Sequence, residues 1–276
     1  MRIENRQIVN RDEWLAWRRQ DLTASDLAAA AGYDERRSPL AVYAEKAGLI
    51  EPTGDTPIMR RGRWLEVAAL TALREERPGW EIKRAGVYLR DPDSRLGATP
   101  DAVAIVPGLD GIAAVQFKVV SRPVFERDWT SETAPLKYQI QTLVEAMLME
   151  ASHAFVVALV IDTFTADLAI RDVPRNAAAE ERAVEVARDF WRRVYEGRPP
   201  PMDYQSDEVL VRRLYPRSTP GKTVDLSLDD RIGDLLAGTW VVLEAPAAAE
   251  TGPRPDTQSE PSPEEAGVLD EGSTDI

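Results

Sequence analysis

Residues 97–120 read GATPDAVAIVPGLDGIAAVQFKVV, and the fold turns on how that stretch divides. DAVAIV and IAAVQFKVV are apolar runs separated by PGLDG, whose Pro, Gly and Asp predict a hairpin connection between two strands. Side chains alternate along a strand, so Gln116 and Lys118 share one face while Phe117 takes the other, toward the core. Asp101 opens the first strand and meets the Gln116–Lys118 face if the two strands pair. An Asp, a second oxygen ligand and a Lys converging there suit a magnesium ion and an attacking water. The ion takes oxygen ligands and keeps several waters, and the lysine can orient one of them and offset charge on a phosphate. The same pattern also fits a solvent-facing polar strand edge, and spacing alone does not separate the two readings.

Working outward, apolar periodicity and turn residues predict helices on both sides of this hairpin. Asp12 to Arg19 forms a short helix containing Trp14 and Trp17. Ser25 can N-cap DLAAAAG, with Gly32 as the stop. Ser38-Pro39 opens a helix through Lys46, with Gly48 past its end. A longer helix over 59–76 has Trp64, Leu65, Ala68, Leu70 and Leu73 as its apolar face. EIKRAGVYLR reads as a strand, and a helix is expected over 135–149. HAFVVALVID and FTADLAIRDV are strands, and a last helix covers 175–195. The order predicts an α/β sandwich around a mixed sheet over residues 1–202. Residues 203–244 read as an appendage packed on that core. The Pro-, Ala- and acid-rich 245–276 reads as a disordered tail.

Composition removes several chemistries. There is no Cys and only one His, His153. That excludes disulfides, thiolate metal sites and cysteine nucleophiles, and argues against His-built sites and triads. Catalysis must then fall to carboxylates, amides, Lys and Arg. No apolar run reaches a membrane span, and the start MRIENRQIVNRDEW lacks the apolar core of a signal peptide, so the expected compartment is the cytoplasm. A net charge of −13 argues at first sight against nucleic acid. However, residues 245–276 carry eight acids against one base, leaving −6 for the rest. Local clusters weigh more: Arg18-Arg19, Arg60-Arg61-Arg63, and Lys118 with Arg122 and Arg127.

Four blocks give the chain a more specific likeness: WLAWRRQDLTASDLAAAAG; SPLAVYAEKAGLIEP with MRRGRWLEVAAL; GATPDAV with QFK; and PLKYQIQTLVEAMLM. In this order they resemble the YqaJ/lambda-exonuclease-type viral recombinases, phage-type nucleases of the PD-(D/E)XK superfamily. The resemblance implies a restriction-endonuclease-like core, a central mixed sheet flanked by helices. It also implies a Mg2+-dependent DNA nuclease, with Mn2+ as a substitute, digesting duplex ends from the 5′ side for recombination. Asp101, Gln116, Lys118 and Glu66 would form the catalytic set. Asp101, Gln116, Glu66 and the Phe117 backbone carbonyl would hold the metal. Arg18, Ser25, Thr99 and Gln141 would surround the terminal 5′-phosphate, and Tyr138 belongs to the same helix motif. The implied partners are double-stranded DNA ends and a single-strand annealing protein of the RecT or Beta kind. A homo-oligomeric ring threaded by DNA would also follow, with no membrane.

One departure matters. The family carries an acid two residues before the lysine, where this chain has Gln116. An amide carbonyl can ligate a hard cation but brings no charge. The departure motivates one alternative, a DNA-end-binding accessory that cuts poorly or not at all. A second alternative keeps the enzyme but moves it to repair, as in RecB- or Cas4-like nucleases, where the lack of Cys removes the iron–sulfur form.

Overall fold

The computed structural model, which describes residues 1–214 apart from 53, 204 and 205, divides its strands between two sheets. The smaller has the order β1 (Glu4–Gln7), β4 (Val87–Asp91), β5 (Leu96–Ala98), β2 (Leu22–Thr23). The larger runs β3 (Glu81–Arg84), β6 (Ala102–Ile105), β7 (Ala113–Ser121), β8 (His153–Ile161), β9 (Ala166–Asp172). β6 and β7 are the hairpin expected around PGLDG, antiparallel with Ala102 opposite Val115. β7 and β8 pair in parallel over their full lengths. A parallel pair needs a long crossover, and α5 (Arg122–Asp128) and α6 (Leu136–Leu148) supply it.

The helices cover both faces of the larger sheet. α4 (Pro57–Glu76), capped by the Thr56 side chain with Pro57 in its first turn, buries Ala69, Leu70 and Leu73. These pack with Val115, Phe117, Val157 and Leu159. α6 covers the opposite face, where Leu143 and Ala146 meet Ala114, Val120, Val156 and Val160. The period of two thus works as expected: Phe117 goes to the α4 side, and the alternate positions, Gln116 and Lys118 among them, to the α6 side. α1 (Arg11–Gln20), α2 (Ala24–Ala30), α3 (Pro39–Lys46) and α7 (Ala177–Glu196) complete the body. α2, α3, α6 and α7 share a second core with the smaller sheet.

Residues 97–101 pass from β5 in one sheet to β6 in the other. Gly97 is needed there because a Cβ would lie 2.7 Å from Tyr88 Cζ and 3.1 Å from Asp21 Cβ. The Tyr88 hydroxyl donates to buried Asp21 (2.9 Å), which also takes Arg90 Nη2 at 2.7 Å.

Several local expectations are corrected. Ser25 does not cap α2: Thr23 occupies that position, and Ser25 lies inside the first turn. EIKRAGVYLR is not one strand but two in different sheets, because Gly86 adopts φ +63° and turns the chain between β3 and β4. Trp64 is 70% exposed and Ala68 is exposed, so the apolar stripe of α4 lies further round the helix than the wider face predicted. The smaller sheet was not foreseen, since strands as short as β2 leave almost no pattern. Lys118, Arg122 and Arg127 do not form one basic patch. Arg122 pairs with Asp167, Arg127 pairs with Asp128, and Lys118 turns inward. From the segment expected as an appendage, residues 208–214 form α8 (Glu208–Leu214), whose Leu210 is buried in the α2–α7 core. Residues 215–244 and the tail at 245–276 lie outside the described residues.

Candidate active site

Strand pairing brings Asp101 onto Gln116. Asp101 Oδ2 accepts the Phe117 backbone N–H at 2.8 Å and is also hydrogen-bonded by Gln116 Nε2. Gln116 is 4% exposed, which removes the reading of a solvent-facing strand edge. Its Nε2 lies 3.2 Å from the Phe117 carbonyl, while its Oε1 is buried without a hydrogen-bond partner among the described residues. Burial, and then the charge of Glu66, push the Asp101 carboxyl up to about 7. Glu66 reaches this electrostatic neighbourhood from α4 while its Oε1 accepts from Arg84 at 2.6 Å. Burial also pushes the Lys118 ammonium down, against the opposing pull of Asp101, Glu145 and Glu66.

A divalent cation fits this arrangement. It would supply charge to an acid that burial and Glu66 disfavour, and a partner to the orphaned Gln116 oxygen. Among the described residues no three His, Cys, Asp or Glu side chains gather closely enough to form a metal site by themselves. The donors would therefore be Asp101, the Gln116 amide and the Phe117 carbonyl, with Glu66 as the second acid nearby. Oxygen donors and only one or two carboxylates suit Mg2+.

Three of the four residues expected around a phosphate, Arg18, Ser25 and Thr99, are linked through Trp14, while the fourth, Gln141, contacts Lys118 instead. Arg18 donates to Ser25 Oγ (3.2 Å) and its guanidinium lies 4.9 Å from the centre of the Trp14 ring. The Trp14 indole N–H donates to Thr99 Oγ1 at 2.9 Å. Thr99 stands two residues before Asp101, so the 97–101 segment ties this cluster to the acidic site. Gln141, on α6, accepts Lys118 Nζ at 2.9 Å through its own Oε1. Lys118 also lies 4.9 Å from the centre of the Tyr138 ring, so Tyr138 is a neighbour of the lysine as well as a core aromatic.

Asp26 anchors α2, which carries Ser25. It is buried, accepts Thr23 Oγ1 at 2.7 Å, and faces Lys46 at 3.1 Å and Arg37 at 2.5 Å. Lys46 Nζ in turn donates to the Arg18 carbonyl at 2.7 Å. Burial alone would raise the Asp26 carboxyl, but Lys46, Arg37 and Arg18 outweigh it and hold it well below the usual range. Since the folded value lies below the unfolded one, the stabilisation is fully present above the ordinary carboxylate range, starts to fall within it, and is lost only as pH drops through the depressed folded value. Asp26→Asn should therefore cost about 3–5 kcal/mol near neutrality, as for one partner removed from a buried pair. The gap between melts of wild type and variant should hold down to about pH 4 and narrow progressively below it.

Sequence reading missed Trp14 and Glu145 as site residues. The signal for Glu145 was available: it is an acid inside the apolar run LVEAML, four residues after Gln141 and seven after Tyr138, on one helix face.

Residues 13–152 match the YqaJ-like viral recombinase domain, about half of the chain. The chain belongs to that family. Among individual relatives, the uncharacterized protein YqaJ of Bacillus subtilis (strain 168) is 22% identical over 236 residues, covering 81% of this chain and 69% of that protein. Among solved structures, the alkaline exonuclease LHK-Exo of Laribacter hongkongensis superposes with a TM-score of 0.55 at 17% identity, over 73% of this chain and 99% of that one. The structure of the same exonuclease in complex with dAMP gives the same values. The expected family and the PD-(D/E)XK-type fold class are those found. In YqaJ-family terms, the match spans all four blocks and ends just before β8. No helix among the described residues is long and apolar enough to cross a membrane.

Proposed function

We propose that this YqaJ-family protein is a Mg2+-dependent deoxyribonuclease that removes nucleotides from the 5′ ends of duplex DNA. The observation that carries the reading is the 97–101 segment. It sets Thr99 in the Trp14–Arg18–Ser25 cluster and Asp101 against Gln116 and Phe117. A phosphate held by Arg18 and the hydroxyls of Ser25 and Thr99 would present the next phosphodiester beside Asp101 and Lys118. Mg2+ bound there would neutralise phosphate charge and acidify a water. Lys118 then orients the incoming water and offsets the charge that develops on the non-bridging oxygens. The water oxygen bonds to phosphorus as the bond to the 3′ oxygen breaks, the water's proton passes to solvent and the departing 3′ oxygen takes one up as a hydroxyl, and the new end carries a 5′-phosphate ready for the same cluster. Exposed Arg60 and Arg61 on α4, the helix that carries Glu66, offer contacts for the duplex backbone. Resection of this kind exposes a single strand, so the partner is a single-strand annealing protein of the RecT or Beta kind.

Digestion of linear duplex with and without Mg2+, on 5′-phosphorylated and 5′-hydroxyl ends, tests the proposal. Loss of terminal nucleotides only with metal, faster from phosphorylated ends, is expected. No metal-dependent loss from either substrate refutes it.

A second reading has its own support. The Gln116 amide N–H occupies Asp101, which competes with a cation and would favour end binding without cutting. Gln116→Glu discriminates. On the nuclease reading it tightens Mg2+ binding, measured by calorimetry, and keeps or raises the rate. A silent wild type switched on by the substitution would establish end binding as the natural role.

A further inference from the structure

Glu145 is 1% exposed, in a helix segment where Val144, Ala146, Met147 and Leu148 are also buried. A carboxyl group in such surroundings is unfavourable unless charges or donors meet it. Those present form a chain. Lys118 Nζ donates to Gln141 Oε1 at 2.9 Å, and Gln141 Nε2 donates to Glu145 Oε1 at 2.8 Å. Gln141 and Glu145 lie one turn apart, on the α6 face that covers Gln116 and Lys118. Glu145 Oε2 is buried with no hydrogen-bond partner among the described residues. Burial and then Asp101 raise the Glu145 carboxyl, while Lys118, Gln141 and Arg18 pull the other way. The acid is therefore electrically part of the site although it belongs to a different element.

We propose that Glu145 is a positioning residue: acting through Gln141, it holds the Lys118 ammonium beside Asp101 and, once a cation on Asp101 removes the repulsion between the two acids, supplies the negative charge that position 116 lacks. The inference rests on the nuclease reading and deepens it. With Gln at 116, β7 contributes no carboxylate to a buried lysine, and Glu66 is engaged by Arg84. Asp101 alone would have to serve both a cation and Lys118. An acid on the covering helix relieves that conflict, and its two-step hydrogen-bonded link restricts the rotamers of a long side chain. A lysine already in place needs no reorganisation when the phosphate arrives.

A purely structural Glu145 makes a different demand. It would only have to accept the Gln141 N–H, which the carbonyl of a glutamine does equally well. Glu145→Gln keeps shape and acceptor and removes charge alone. The comparison covers wild type, E145Q, Q116E, Q116E/E145Q, Q141L and E145Q/Q141L. Single-turnover rate and KM are measured on 5′-phosphorylated duplex in Mg2+, with duplex-end affinity in Ca2+ and thermal melting alongside. E145Q should lose about ten- to a hundred-fold in rate, the size of one charge-assisted contact, with KM, end affinity and melting temperature near wild type. Q116E should restore most of that loss by returning an acid to the strand. Q141L should lose at least as much as E145Q, and adding E145Q to it should cost little more, because the residues act as one unit.

Wild-type rate in E145Q, a loss confined to KM or accounted for by a lower melting temperature, additive losses with Q141L, or no rescue by Q116E would each overturn the inference while leaving the nuclease reading standing. A wild type active only after Gln116→Glu would also overturn it, since Glu145 would then not have replaced the missing charge. If wild type and Q116E are both silent, the nuclease reading fails and this inference falls with it.

Discussion

An Asp101→Ala protein should fold normally and lose at least about a thousand-fold of Mg2+-dependent hydrolysis, on the scale seen when one member of a catalytic unit is removed. Asp101 is where the two strands of the hairpin meet, since its Oδ2 takes both the Phe117 N–H and the Gln116 amide. It is also the acid on which the proposed cation site depends most, because Gln116 is neutral and Glu66 is shared with Arg84. Its removal should not harm the fold. Burial and Glu66 already lift this carboxyl to about 7, so above that pH the folded chain carries a disfavoured charge, and losing it relieves repulsion. The Phe117 N–H and the Gln116 amide lose their acceptor in exchange, so circular dichroism and melting should show a protein close to wild type. The same shift sets a pH dependence for the wild type. Below about 7 a cation must displace a proton from Asp101, so Mg2+ affinity and rate should both rise as pH climbs through that value. Wild-type-like cleavage by a folded Asp101→Ala protein would end the nuclease reading.

Arg18→Ala should erase the preference for 5′-phosphorylated over 5′-hydroxyl duplex while sparing slow metal-dependent cutting. Arg18 is poised by three contacts: its guanidinium on the Trp14 ring, its Nη2 on Ser25 Oγ, and its carbonyl under Lys46 Nζ. A guanidinium held by stacking still offers a planar fork to phosphate oxygens. Hydrogen bonds to a charged group contribute about 1.5–3 kcal/mol, or roughly ten- to a hundred-fold in end engagement. The metal-side residues Asp101, Gln116 and Phe117 make no hydrogen bond to Arg18 among the described residues, so the chemistry should persist at a reduced rate. The measurement is the ratio of digestion rates on the two substrates for wild type and variant. A wild type without preference, or a variant that keeps it, would show that the cluster is not a phosphate pocket even if hydrolysis is real.

How much of this was legible in the chain itself depended on range. The β6–β7 hairpin, the inward Phe117, the Ser38 cap and the Gly48 stop all follow from residues a few positions apart, where alternation, capping and turn chemistry act directly. The same local rules went astray where two neighbours compete. Ser25 and Thr23 are both hydroxyls at one helix start, and the backbone chose Thr23 as cap, leaving Ser25 for Arg18. Trp64 fits an apolar stripe by spacing, yet α4 meets the sheet through Ala69, Leu70 and Leu73, and the tryptophan faces outward.

By itself, then, the sequence determined that a strand pair carries Asp101, Gln116 and Lys118, that a chain without Cys and with one His leaves any chemistry to carboxylates, amides, Lys and Arg, and that an amide stands where the resembled family carries an acid. Only the tertiary structure decided what stands around them. It places Thr99 under Trp14, links Lys118 to Gln141, and buries Glu145 with one oxygen unmet. The reason is physical. Periodicity tells each element which side to bury, but not which partner will cover it. That choice is made by long-range packing of α6 and the N-terminal helices against the two sheets, where the cost of an unpaired charge or donor selects the contacts that survive.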